Sequence, residues 1–162
     1  MDFDHQALLS LMSSTPASVD DPTIAKVKQA FFKDTQMPPV KVVSAGDYEG
    51  IGLPAELREG AKGKVGFRVF RGDKPDDSIY VNRHSKLYQQ AADSNDIYNL
   101  LLLAGHLTHE NEHSQSRDER DAYNAEAKFL RDNMNRLGSY RLEPFMQYVH
   151  GIEQMGKKEG KK

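Results

Sequence analysis

The spacing of apolar residues divides the chain into two helical parts with a strand-rich part between them. Residues 1–36 carry apolar side chains at helical spacing, first from Ala7 to Met12 and then from Ile24 to Phe31. Apolar residues that recur every three or four positions are typical of a helix with one buried face. Asp21 and Pro22 predict the start of the second helix, because Asp is a favoured N-cap residue and Pro is favoured directly after it.

The pattern changes to short, β-branched and alternating runs over residues 37–83. Three such runs predict strands, at Val40 to Val43, Val65 to Val69 and Ser78 to Asn82. A glycine-rich stretch separates the first two runs, and residues 72–77 are predicted to form a turn before the third. We therefore expect a small, twisted and mainly antiparallel sheet.

Helical spacing returns over residues 84–156. It predicts four helices, over residues 87–92, 97–108, 122–137 and 142–152. The fold class is accordingly α+β, with the small sheet packed on the helical half in a single domain that covers residues 1–156. The lysine- and glycine-rich residues 157–162 are predicted to be disordered.

Composition narrows the chemistry that this domain can carry out. The chain has 162 residues, a formal net charge of −2 and no cysteine. Disulfides, thiol catalysis and cysteine-type zinc sites are therefore excluded, and any metal site must use His, Asp and Glu. The small negative charge gives no sign of a nucleic-acid or membrane-surface binder.

The first residues and the longest apolar run bear on where the protein acts. The segment from Met1 to His5 is acidic and lacks the basic start and apolar stretch of a signal peptide. The longest apolar run, Leu100 to Ala104, is too short to span a bilayer. We expect a cytoplasmic protein, or one that is exported without a cleaved signal peptide.

The most informative motif is H-E-x-x-H, formed by His109 to His113 at the end of the longest apolar helix. Residues four apart lie on one face of a helix, so both imidazoles can point at one metal ion, with Glu110 beside it. This arrangement is typical of a zinc site with a general base. Burying so many ionisable groups next to an apolar run is costly unless a metal compensates their charges.

A catalytic zinc ion needs a third protein ligand and one open position. Carboxylates follow the motif closely, at Asp118, Glu119, Asp121 and Glu126. If a second helix returns antiparallel after a short turn, Glu119 lies nearest the two histidines, and Asp121 and Glu126 are the alternatives. The segment Ser116 to Glu119 also fits a capping box, which needs no metal, so both roles stay open for Glu119.

Two further side chains are candidates for the chemistry. Glu110 can take a proton from the attacking water and deliver one to the leaving amine. Tyr123, one turn after Glu119, can donate a hydrogen bond to a developing oxyanion. Simple packing in the helix hairpin explains Tyr123 equally without catalysis, and we expect His106 to pack or to support a ligand.

The motif and the residues after it resemble the zincin metallopeptidases, and more narrowly the small single-domain gluzincins. Bacterial and phage-associated metallopeptidases of this kind carry an E-x-x-A-Y element, which Glu119-Arg120-Asp121-Ala122-Tyr123 matches. The resemblance covers roughly residues 78–137. It implies zinc at His109 and His113, Glu110 as general base and Glu119 as third ligand.

The resemblance also implies a place for the substrate. Such folds hold an extended substrate on an edge strand, which corresponds here to Ser78 to Asn82, with Ile79, Tyr80 and Val81 as the binding residues. One departure concerns the spacing. Only five residues separate His113 from Glu119, fewer than in the larger gluzincins, and no glycine turn lies between them.

The sequence therefore predicts a zinc-dependent metallopeptidase that acts as a monomer on a peptide or protein substrate, without nucleic-acid or membrane partners. The first alternative is a catalytically inactive, zincin-like metal-binding domain with a regulatory or interaction role. The second is a helical interaction module in which the motif has no metal.

Overall fold

The computed structural model describes residues 20–94 and 96–162, and these residues confirm the α+β class. The helices are α1 Pro22–Phe31, α2 Ala55–Ala61, α3 Lys86–Asp93, α4 Ile97–Glu112, α5 Glu119–Asp132 and α6 Leu142–Glu159. The strands are β1 Val40–Val43, β2 Gly66–Arg71 and β3 Lys74–Asn82. The helical pattern predicted from Ala7 to Met12 lies outside the described residues. Asp21 caps α1 as expected, because its carboxylate accepts a hydrogen bond from the Thr23 amide at 2.9 Å.

The sheet is mixed, which corrects the expectation of a mainly antiparallel sheet. Its strand order is β1-β3-β2, with β1 parallel and β2 antiparallel to β3. The tight turn at Gly72, where φ is +68°, joins β2 and β3 as a hairpin. Residues 44–65, which include α2, carry the chain across the sheet from β1 to β2. This long connection allows β1 and β3 to run in the same direction.

Strand β3 lies at the centre of the sheet, so the expectation that Ile79, Tyr80 and Val81 bind a substrate at an edge is wrong. Each of the three pairs with β1 on one side, and Tyr80 pairs with Phe67 of β2 on the other. They are 0%, 4% and 0% exposed, respectively. The strand is central because its apolar side chains fill a core on both faces of the sheet.

Helix α4 is the core of the domain. Its residues from Leu100 to Gly105 are all buried, which places it between the sheet and helices α1, α3 and α5. A helix that is apolar all round must be surrounded by other elements. Asp96 caps its start by accepting a hydrogen bond from the Tyr98 amide at 3.0 Å. No helix in the described ranges has both the length and the apolar character needed to cross a membrane.

Helix α6 continues through Lys157 and Lys158 to Glu159, which corrects the prediction of a disordered tail over these residues. Gly156 is buried, and a Cβ added there would lie 3.0 Å from the Asn124 side-chain oxygen. Contact with α5 therefore extends to the end of the chain. The two lysines also interact favourably with the negative end of the helix dipole.

Gly105 allows α4 and α5 to approach closely, and its replacement should destabilise the domain. A Cβ at this position would lie 2.7 Å from Leu130 Cδ2 and 3.0 Å from Leu130 Cγ, and Leu130 is fully buried. We expect Gly105→Ala to lower the free energy of unfolding by about 1–3 kcal/mol, measured by urea denaturation. Gly151→Ala is the matched control, because a Cβ there meets nothing within 4 Å. It should be neutral or stabilising, and an equal loss in both variants would contradict the packing explanation.

Candidate metal centre

The turn between α4 and α5 brings Glu119 to the two histidines of the motif. Asp118 is the N-cap of α5, since its side chain accepts a hydrogen bond from the Arg120 amide at 2.8 Å. Glu119 is therefore the first residue of the helix and does not cap it, which corrects the predicted capping box. Ser116 instead donates its hydroxyl to Asp121 at 2.7 Å. The Glu119 carboxylate is thus available to the histidines.

His109, His113 and Glu119 form a compact cluster in which each residue offers one potential ligand atom within 4.8 Å of the others. Glu119 Oε2 lies 3.2 Å from His109 Nε2, and Glu119 Oε1 lies 3.0 Å from His113 Nε2. In a tetrahedral site with bonds of about 2.0–2.1 Å, neighbouring ligand atoms are about 3.3 Å apart. The observed separations fit that spacing, so this cluster could hold a metal ion.

The other nitrogen of each ring is held by a separate partner. His109 Nδ1 lies 3.1 Å from Glu126 Oε1, and His113 Nδ1 donates to the Ser116 carbonyl at 2.9 Å. Such partners fix the ring orientation and leave Nε2 free to coordinate a metal. Of the two alternative third ligands, Glu126 therefore contacts His109 Nδ1, on the side of the ring away from the cluster, and Asp121 accepts a hydrogen bond from Ser116. Neither belongs to the cluster.

The electrostatics of the cluster reflect these pairings. Burial lowers the pKa of His109, but hydrogen bonds with Glu119 and Glu126 outweigh it and raise that pKa to about 10. Burial also lowers the pKa of His113, but hydrogen bonds with the Glu119 carboxylate and the Ser116 carbonyl outweigh it, so this pKa is raised. The same hydrogen bonds with His109 and His113 hold the pKa of Glu119 well below its ordinary value. In the metal-free cluster, His109 is therefore protonated at neutral pH and pairs with the ionised Glu119 carboxylate.

Glu110 lies inside the protein beside a third histidine. Its carboxylate Oε1 is 3.3 Å from His106 Nε2, which is within ion-pair distance but does not meet hydrogen-bond geometry. The His106 ring stacks on His109 with a centroid distance of 5.4 Å and an interplanar angle of 9°. Burial raises the pKa of Glu110, but the close contact with His106 and then the charges of His109 and His113 outweigh it, so the pKa is lowered. Glu110 is therefore an ionised carboxylate, and His106 both packs and supports the site as expected.

Tyr123 packs its ring edge-on against His109, with ring centroids 4.7 Å apart. Burial, followed by the charges of Glu119 and Glu126, raises the pKa of Tyr123 to about 12. The hydroxyl consequently remains protonated at neutral pH and keeps its ability to donate a hydrogen bond. The packing contact is in the structure, and the donor role stays a prediction.

Arg68 is a supporting residue that the sequence pattern does not reveal. It is 8% exposed, and its guanidinium donates to the Ser78 carbonyl at 3.0 Å and to the Glu110 carbonyl at 2.9 Å. It also donates to Ser114 Oγ at 2.9 Å. Arg68 thereby ties the sheet to the end of α4 that carries the motif. An arginine in an alternating strand suggests a solvent-facing position, and only the approach of α4 buries it.

Strand β2 runs alongside the metal centre. A Cβ built on Gly66 would lie 3.2 Å from His106 Nε2, and the Phe70 ring lies edge-on to His113 with centroids 6.3 Å apart. Strand β2 therefore runs along α4, with Gly66 beside His106, Arg68 beside Glu110 and Phe70 beside His113. Since β2 pairs with β3 on one side only, its outer edge has no strand partner among residues 20–94 and 96–162.

Substitutions of single carboxylates should distinguish the proposed metal ligand, Glu119, from Glu126, which orients the His109 ring. We expect Glu119→Gln to weaken zinc affinity most, since it removes a charged ligand, and Glu126→Gln to weaken it about 10–100-fold by releasing His109. Asp121→Asn should leave affinity close to that of the parent protein. Affinities can be measured by competition with a chromophoric chelator. A larger loss in Asp121→Asn than in Glu119→Gln would contradict the assignment of ligands.

Metal binding should displace protons at neutral pH. The folded, metal-free protein holds His109 protonated below its pKa of about 10, whereas a ligand must offer an unprotonated nitrogen. We expect zinc binding to release about one to two protons and to strengthen as the pH rises from about 6 to about 9. Calorimetry in buffers of different ionisation enthalpy measures this release. A binding enthalpy that is independent of the buffer would contradict it.

The metal-free protein should also lose stability in alkaline solution. The raised pKa of His109 means that its ion pairs stabilise the folded state fully below the unfolded pKa of about 6.5 and lose this contribution as the pH rises through about 10. Urea denaturation of chelator-treated protein across this range measures the effect. Glu126→Gln should flatten the pH dependence, and an unchanged slope in that variant would contradict the pairing.

Comparisons of the chain with protein families, with curated proteins and with solved structures found no match. The chemistry of this cluster is therefore inferred from its own side chains, their separations and their burial.

Proposed function

We propose that this protein is a zinc-dependent metallopeptidase with a zincin-like fold, in which Glu110 is the general base. One observation carries the proposal above all. Two imidazoles and a carboxylate converge within 4.8 Å, and the residue after the first imidazole is a buried, ionised glutamate. An ion-pair network accounts for these groups as well, but a carboxylate directly after the first histidine is also where an H-E-x-x-H zinc site has its general base.

The donor set favours zinc. Two imidazole nitrogens and one carboxylate oxygen, without thiolates, match the ligands of catalytic zinc sites. When bound, a zinc ion supplies Lewis acidity that makes water nucleophilic near neutral pH. The Glu119 side chain is 45% exposed, whereas those of His109 and His113 are 5% and 6% exposed. The cluster therefore opens to solvent on the Glu119 side, where water and substrate can enter.

Glu110 moves the proton in this mechanism. As the water oxygen bonds to the peptide carbonyl carbon, Glu110 takes one of its protons. It then delivers that proton to the amide nitrogen as the C–N bond breaks, which leaves a carboxylic acid and an amine. His106, 3.3 Å from the Glu110 carboxylate, holds it in position. Tyr123 is proposed to donate a hydrogen bond to the carbonyl oxygen as negative charge develops there.

The outer edge of β2 is proposed to align the substrate. The Asn82 amide donates to the Val65 carbonyl at 2.8 Å, which makes these two residues a hydrogen-bonded pair. In an antiparallel ladder the next residues alternate, so Gly66 and Arg68 direct their backbone groups away from β3. An extended peptide can pair with these groups by strand addition, directly beside α4.

Removing the base should separate hydrolysis from metal binding. We expect Glu110→Gln to retain zinc and to lower hydrolysis of an unfolded protein substrate by about 10²–10⁴-fold, since the amide cannot accept the proton. Glu112→Gln is the matched control, because this glutamate lies on the same helix outside the cluster. Zinc content by atomic absorption and cleavage by mass spectrometry provide the measurements. Equal activity in Glu110→Gln and the parent protein would refute the mechanism.

The alternative is a metal-binding or regulatory domain without peptidase activity. It is favoured by the ion pairs, because Glu119 and Glu126 already satisfy the histidines without a metal. Stoichiometric zinc with no hydrolysis of unfolded proteins or peptide pools would support this alternative over the peptidase.

A further inference from the structure

A second feature lies at the other end of the α4 face that carries the metal centre. It is an open cavity of about 710 Å³ near the start of α4. Among residues 20–94 and 96–162, four cationic side chains line it and no carboxylate does. They are Lys62, Lys64, Lys86 and Arg141. We refer to this feature as the basic cavity. It stands out because the chain as a whole has a net charge of −2.

Within the described part of the chain, part of the positive charge in the basic cavity has no ion-pair partner. Lys62 forms an ion pair with Glu59 at 2.9 Å, and Arg141 forms one with Asp96 at 3.3 Å. Neither Lys64 nor Lys86 makes a salt bridge within residues 20–94 and 96–162. A concave surface with charge of one sign concentrates the electric field and attracts groups of the opposite charge. The basic cavity therefore suits a carboxylate.

The basic cavity and the candidate metal centre lie along the same face of α4. Leu102 in its wall lies one helical turn before His106, on the same face of the helix. Val65, also in the wall, directly precedes Gly66, where β2 approaches His106. The outer edge of β2 and this face of α4 thus both lead from the basic cavity to the histidine–glutamate cluster.

The separation of the two features corresponds to a few residues of extended peptide. Leu102 precedes His109 by seven residues, which amounts to about 10 Å at a rise of about 1.5 Å per residue. An extended chain advances about 3.3 Å per residue, so about three peptide residues span this distance. A peptide paired with β2 and cleaved at the metal centre would therefore place a side chain about three residues away in the basic cavity.

We propose that the basic cavity binds a carboxylate of the peptide substrate about three residues from the scissile bond. The protein consequently acts on acidic peptides or acidic segments of proteins. This inference rests on the proposed peptidase function and adds the substrate class. The carboxylate can come from an Asp or Glu side chain or from the peptide C-terminus, and both fit the same cations.

The first test compares cleavage of peptides that differ by one charge. Two otherwise neutral peptide series carry Glu or Gln at each position near the cleavage site, with the C-terminus either free or amidated. We expect the parent protein to cleave the peptide with Glu about three residues from the scissile bond roughly tenfold better than its Gln counterpart. A preference that persists only with a free C-terminus would identify the terminal carboxylate as the ligand.

Charge reversal at the unpaired lysines should abolish this preference. We expect Lys64→Glu/Lys86→Glu to lose the tenfold advantage of the acidic peptide, measured as the ratio of kcat/KM for the Glu and Gln peptides. Lys33→Glu/Lys41→Glu is the matched control, because both lysines are exposed and neither lines the basic cavity. The control should keep the preference. A preference that survives in the first variant, or that is lost equally in both, overturns the proposal.

Binding to an inactive variant keeps this inference separate from the peptidase proposal. Fluorescence anisotropy measures how the labelled Glu and Gln peptides bind to Glu110→Gln, with and without the two lysine reversals. Selective binding of the Glu peptide that depends on Lys64 and Lys86 supports the basic cavity even if the parent protein cleaves nothing. Cleavage without such selectivity leaves the peptidase intact and overturns the basic cavity. Tighter binding of single-stranded DNA than of the Glu peptide also overturns it.

Discussion

Buried charge at the end of α4 is the constraint on which the rest of the structure depends. His109, Glu110, His113 and Glu126 are 4%, 5%, 6% and 1% exposed. A buried ionisable group without a partner is costly, and removing one partner of a buried pair costs about 3–5 kcal/mol. Each of these side chains accordingly lies within ion-pair distance of a histidine or a carboxylate. The positions of α5 and of the turn before it follow from this need for compensation.

The buried carbonyl groups at the end of α4 also need partners, because they are polar groups removed from water. The last carbonyl groups of a helix lack partners within the helix, and burying them requires donors from elsewhere. Arg68 supplies such a donor to the Glu110 carbonyl and also binds the Ser78 carbonyl of β3. One buried guanidinium thus links the sheet to the helix that carries the motif. The positions of β2 and of the histidine–glutamate cluster are therefore coupled.

We propose that metal binding uses the same carboxylates and imidazoles that form the buried ion pairs. The carboxylates that stabilise protonated imidazoles in the metal-free protein are those that a divalent cation would also need. Glu119 would bind the ion directly, whereas Glu126 would hold the ring of His109. Protons and metal therefore compete for one set of groups. Since β2 packs along α4, the same packing also relates the histidine–glutamate cluster to the basic cavity.

The sequence by itself determined the local features of this protein. The helix-period pattern, the Asp21 cap and the four-residue spacing of His109 and His113 depend on neighbours along the chain, and the structure has all three. Only the tertiary structure decided that β3 is central, that Glu119 rather than Asp121 or Glu126 joins the histidines, and that Arg68 is buried. These depend on which distant segments pair, and local periodicity carries no information about that. Strand order follows from packing around α4, and the place of Glu119 beside the two histidines follows from the geometry of one turn.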